Sequence, residues 1–410
     1  MISYLSKRAQ LSLDTILQRP VQGIPCWMLH IMNHEHLERL AGVGQGAYVR
    51  DPDAVYAGAL RNAGVCMIDQ YIPKNPLTMS PAGYDEQLGV APPALDYLPY
   101  TPIDLMDSDI GGVTTGGRTL INGMWIDSPE AVVEHLERFV FPRIERDIAA
   151  FDEDSRVAEI LSEERSAQDQ LGPGILKTGF NFVFFPYLYY GLYGYEYYFM
   201  AYALYPEVME RHFLLQADYA LLNNRAAARA YAAGGLPPFQ RLDFDMADSR
   251  GTLVNIKSLD RIWFPHFARC LEPILRTDVR LVWHCDGNLM QMIPRLLEVG
   301  VTGFQGFQYE HGMDYKRICA TKTRDGRDLL ILAGLSVTTT LPFGTPADVR
   351  REMAFLVEHG PPTGLFLGAS STITPETPWE NIEALVEGVR YYRSHGRGQG
   401  VGGTSLEGRL

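Results

Sequence analysis

The sequence predicts an α/β fold: a closed (β/α)8 TIM barrel with an insertion between its second and third strands. Three observations carry this: eight short apolar runs, amphipathic helical patterns between them, and polar residues gathered where the runs end. Continuous apolar runs suit strands covered on both faces, as in parallel sheets. Alternation of strand and helix points to the parallel class, and eight repeats of the unit to closure. A doubly wound open sheet is the alternative, but no GxGxxG turn follows an early strand.

The runs are, in order, residues 24–32 (IPCWMLHIM), 65–72, 175–185, 239–246, 279–284, 301–309, 329–336 and 363–370. After the seventh, Thr345 is placed to cap a helix with Pro346 at its first position, and Val349, Met353 and Leu356 share a face. After the eighth, Thr377 and Glu380 have capping-box spacing, and Ile382, Leu385, Val386 and Val389 repeat at helical intervals. Residues 73–174 break the rhythm. A Pro- and Gly-rich part (73–117) and a charged helical part (128–168) form an elaboration of one domain, 1–395. The glycine-rich end, 396–410, is expected to be mobile.

A net charge of −13 disfavours nucleic acid and anionic membrane as partners. The five cysteines are odd in number and widely spaced, with no CxxC pair and no disulfide framework. No secretory h-region and no apolar stretch of about 18 residues stands out. These features lead to the expectation of a reduced, cytoplasmic protein.

In a barrel, the C-terminal ends of the strands build the active site. The fifth run ends in HCDGN, where alternation points His284 and Asp286 one way and Cys285 the other, and Asn288 follows. Other strand ends supply His30, Asp69, Asp243, Asp245, Gln308, Glu310 and Ser370. His284, Asp286, Asp245 and Glu310 are the expected catalytic residues. Asp243, Asn288, Asn181, Tyr187, His30, Asp69, Gln308 and Ser370 are expected to bind substrate. Crowded carboxylates repel, so one holds a proton near neutral pH and serves as an acid. His284 and Asp286 alternatively bind zinc. Residues 187–205 carry nine tyrosines, suited to a subunit interface or to an aromatic wall of a pocket.

HCDGN (284–288), LPFGTPADVRREM (341–353) and ITPETPWENIEALVEGVRYY (373–392) resemble the uroporphyrinogen decarboxylase superfamily, as does residues 243–274 more weakly. The resemblance implies the (β/α)8 fold, a homodimer and one of two chemistries. True decarboxylases carry an N-terminal arginine motif for a polycarboxylate; the corresponding residues 26–42 hold only Arg39, outside any such motif. Corrinoid-dependent methyltransferases that use thiols carry a His-x-Cys pair and a later Cys as zinc ligands. Here the pair reads His284-Cys285-Asp286, so Asp286 stands in the ligand cysteine's place, and Ala369, Ser370 and Ser371 stand at the later loop. The broken thiol site and the oxygen-rich one in its place point to the methyl-donor half of that chemistry. A methyl ether would be the donor, aryl ethers included, and a corrinoid (cobalamin) protein the partner. A carboxyl-lyase acting on a porphyrinogen or a smaller acid is the alternative, and a barrel that binds without catalysis the third class.

Overall fold

The computed structural model describes residues 5–78, 113–115 and 118–398. Its centre is a parallel sheet whose strands match the eight runs. Six elements hydrogen-bond in the order Leu365–Ala369, Leu330–Leu335, Gly303–Gln305, Arg280–His284, Phe239–Asp243 and Gly179–Phe180. Gly179 is continuous with Leu176–Lys177, which pairs in parallel with Met67–Ile68. The first run closes the ring. Cys26 forms a parallel bridge with Leu367, and its carbonyl accepts from the Cys66 and Met67 amides. Every run therefore contributes to one barrel, as the alternation of strand and helix predicts. The strands are buried along nearly their whole length because helices cover the outer face and side chains fill the interior.

Where runs and strands part, backbone chemistry gives the reason. The third run leaves the sheet at Asn181, which has a φ of 72°. That left-handed turn sends residues 182–187 outward, against the 29-residue helix Pro206–Gly234. The sixth strand stops at Gln305 because Gly306, with φ 89°, turns the chain. Between the second and third strands lie a three-stranded antiparallel sheet (Val113–Thr115, Arg118–Ile121, Met124–Ile126) and the helices Pro129–His135, Phe141–Ala149 and Glu153–Leu171. The small sheet is not foreseen from sequence, since its strands are three or four residues long. The capping of Pro346–His359 by Thr345 is as expected, and Asp348 completes a capping box. At Trp379–His395 it is not: Pro378 is the N-cap residue, and the carbonyl of Thr377 instead meets Nε2 of His36. Among the described residues no helix is long and apolar enough to cross a membrane. The expected mobile end falls outside the described residues from 399 onward.

Candidate active site

At the C-terminal ends of the strands a cavity of about 510 Å³ opens. A larger hollow, about 820 Å³, lies on the flank of Glu153–Leu171, but it is shallow and holds no comparable cluster. The cavity has a polar floor and an aromatic wall. His284, the last residue of its strand, and Asp286, two residues on, both line it, while Cys285 points away and accepts from the Met246 amide. Asp245 reaches the same space from the loop after Phe239–Asp243. Ligand atoms of Asp245, His284 and Asp286 all lie within 4.8 Å of one another. Asp245 also accepts the Asp286 amide at 2.7 Å, which ties the two loops together.

Electrostatics follow from this crowding. Burial raises the Asp286 carboxyl to about 6; His284 pulls it down, while Asp245 and Asp243 push it further up. Asp245 is raised too, first by burial, with His284 opposing and Asp243 adding. One proton shared between them relieves the repulsion. Nε2 of His284 lies 3.8 Å from Asp243, so the ring presents that nitrogen to the acidic side. Its Nδ1 is buried, without a hydrogen-bond partner among the described residues. A side chain at Gly306 would put its Cβ 2.7 Å from that atom, so glycine is required there on steric as well as φ grounds. Asp286 Oδ1 is likewise buried and unpartnered, while Ser371 donates to Oδ2 at 3.3 Å.

Arg241, on the strand that ends at Asp243, was not singled out from sequence. It is almost fully buried, lines the cavity, ion-pairs with Asp69 and donates to Asp243 at 2.6 Å. Its guanidinium stacks over Phe180 at 4.5 Å. A buried charge must be paired, and two carboxylates do so here. The only sequence signal is an arginine within an apolar strand, FQRLD.

The aromatic wall is built from Tyr187, Tyr189, Tyr190, Tyr195 and Phe244, and the buried Trp27 also lines the cavity. Tyr187 meets Phe244 edge-on at 5.0 Å, and Tyr190 lies 4.7 Å from Tyr195. The Tyr190 hydroxyl donates to the Asp245 carbonyl at 2.7 Å, joining wall to floor. Two short helices, Tyr190–Tyr193 and Tyr195–Leu204, carry Tyr190 and Tyr195 of the wall, and Tyr193 and Tyr198 of the same helices pack inward.

Of the expected residues, the cavity brings together His30, Tyr187, Asp243, Asp245, His284 and Asp286. Asp69 sits behind it, holding Arg241. Asn181 is exposed at its left-handed turn and lines nothing there. Asn288 and Gln308 shape the turn after the fifth strand: Asn288 accepts from Met290, Gln308 from Gly287. Ser370 is buried, accepting from the Val337 amide, and its neighbour Ser371 takes the place in the lining. Glu310 is exposed outside the lining and accepts from Ser336 and Thr338.

Residues 243–392 match the family model for uroporphyrinogen decarboxylase (URO-D). The superfamily resemblance is borne out. This span runs from Asp243 through the last long helix and includes Asp245, His284 and Asp286. No curated protein sequence matches the chain. Among solved structures, a methyltransferase from Methanosarcina mazei aligns with TM-score 0.55 at 15% identity, covering 94% of this chain and 98% of that one. At that identity the likeness shows the fold alone, and it extends beyond the residues of the family match to 94% of the chain.

The donor set fits a divalent ion. One imidazole and two carboxylates are ligand types that divalent ions take, and Asp286 Oδ1 is a buried acceptor in need of a partner. Such an ion and the shared proton answer the same repulsion, so each displaces the other.

Proposed function

We propose that this chain is the methyltransferase component of a corrinoid-dependent system. It takes a methyl group from a small methyl ether, aryl ethers included, for delivery to a corrinoid protein. The observation that carries the reading is the convergence of Asp245, His284 and Asp286 on one aromatic-walled cavity at the strand ends. The methyltransferase name of the solved structure from M. mazei, matched over nearly its full length, supports it. So does Asp286 where thiol-activating relatives carry cysteine, since carboxylates suit an oxygen leaving group better than a thiolate.

The aromatic wall holds the donor by stacking and apolar contact. The floor places carboxyl and imidazole groups at the ether oxygen. As the C–O bond breaks, the bonding pair stays on oxygen, and Asp286 gives up its proton to make the departing alcohol or phenol. His284 steadies the charge that develops before proton transfer is complete. Fixing the donor's C–O axis toward the mouth makes the displacement in-line. When bound, the corrinoid supplies the cobalt nucleophile that accepts the methyl group. Asp245, His284 and Asp286 would hold a zinc ion, which would supply Lewis acidity to the same oxygen in place of the proton.

A carboxyl-lyase for a polycarboxylate fares less well. Such a substrate needs several fixed cations. Among the described residues Arg241 is the one arginine or lysine of the lining, and Asp69 and Asp243 already hold it. The test is a panel of methyl ethers offered to the purified protein with reduced cobalamin, with and without zinc. Methylated cobalamin together with the matching alcohol or phenol supports the reading. Carbon dioxide from a porphyrinogen, with no methyl transfer, overturns it.

A further inference from the structure

We infer that the molecule this cavity takes is a cation: a methyl ether that also bears an ammonium group, seated with its charge against the acidic and aromatic wall. The inference deepens the reading of the cavity as the methyl-donor site and rests on it.

Charge balance comes first. Arg241 is met by Asp69 and Asp243, so its charge is spent within the protein. Asp245 and Asp286 then stand in the cavity as additional carboxylates. Four carboxylates, Asp69, Asp243, Asp245 and Asp286, thus stand against one guanidinium, and among the described residues no arginine or lysine of the lining is left over to attract an anion.

Two further observations point to a ligand with N–H donors or a diffuse cation. Gln305 and His30 line the cavity and are at least nine-tenths buried. Gln305 uses its amide N–H₂ on the Ser370 carbonyl, which leaves Oε1 buried with no partner among the described residues; Nε2 of His30 is in the same state. The Gln305 oxygen is an acceptor in want of a donor, and a neutral His30 ring is able to present Nε2 as a second one. Tyr187, Phe244 and Tyr190 adjoin the aspartates, Phe244 lying between Asp243 and Asp245 in the chain. Aromatic faces attract ammonium groups, most strongly where water is excluded.

Three probes share one methoxyaryl group and differ in charge: 2-(4-methoxyphenyl)ethylamine, 2-(4-methoxyphenyl)ethanol and 4-methoxyphenylacetate. Their affinities for the full-length protein are measured by calorimetry, without corrinoid. The amine is expected to bind at least about tenfold more tightly than the alcohol, with the acetate weakest. Asp245→Asn is expected to shrink the amine's advantage to less than about threefold, and Tyr190→Leu, a second variant in case the first misfolds, to reduce it as well. Equal binding of amine and alcohol, or tightest binding of the acetate, overturns the inference. Binding and turnover separate the two proposals. The ranking without methyl transfer from any ether upholds the cation preference and sinks the methyltransferase reading. Transfer with the ranking reversed does the opposite.

Discussion

Asp286 shows how much one position governs. Its carboxyl is raised toward 6 because folding removes it from water beside Asp245 and Asp243. The folded state therefore holds a proton that the unfolded chain, with an ordinary value of 3.8, gives up earlier. Stability falls as pH rises through the window between those values, and the penalty is complete above about 6. In metal-free protein, Asp286→Asn should raise the Tm at pH 7.5 and give no gain at pH 4; calorimetry at the two pH values checks this, and an equal gain at both would refute the assignment. His284 and Asp286 are legible in the sequence because strand alternation fixes their common direction. Arg241 and Ser371 are not, because the first looks like a misplaced charge in an apolar run and the second depends on the exact residue at which the eighth strand ends. Asn181 and Glu310 lie outside the cavity lining for the same reason: lying near a strand end does not tell which side of the rim a side chain faces.

At the scale of elements, the aromatic wall depends on the helix Pro206–Gly234. Gln216 accepts from the Tyr187 amide at 2.9 Å and donates to its carbonyl at 3.1 Å. Asn224 does the same for Phe184, at 2.8 Å for both bonds, and Asn223 donates to Phe182 at 2.9 Å. Side-chain amides thus replace the strand partner that residues 182–187 lose when Asn181 turns them out of the sheet. Sequence offers a faint signal, buried amides at helical spacing on an otherwise apolar face. Gln216→Leu should cost about 1–3 kcal/mol by leaving backbone groups unpaired. It should also raise KM for the donor more than it lowers kcat, since the wall binds and the floor reacts. Urea denaturation and steady-state kinetics read both effects. The third strand is anchored by another buried element contact, Lys177 with Glu164 of the helix Glu153–Leu171 at 2.7 Å. Lys177→Met strands the carboxylate and should cost about 3–5 kcal/mol, whereas the double change Lys177→Met with Glu164→Leu should recover most of it.

For the whole molecule, the barrel was legible because closure needs only what the sequence displays, eight apolar runs of strand length with helices between. The first run enters the ring through two isolated bridges, at Cys26 and Ile31, so its place is read from order more than from length. The small antiparallel sheet was illegible because strands of three or four residues carry too little periodicity. The barrel matters to function because it delivers loops from three consecutive strands, 239–243, 280–284 and 303–305, to one side of the same cavity. If that convergence is the seat of methyl transfer, chemistry must depend on the floor while the fold does not. The most direct test is the initial rate of cobalamin methylation from a methyl ether by the intact protein and by His284→Ala, with circular dichroism to verify folding. The expected result is a loss of at least about a hundredfold in a folded variant. A folded His284→Ala protein that methylates at the unchanged rate would contradict the account.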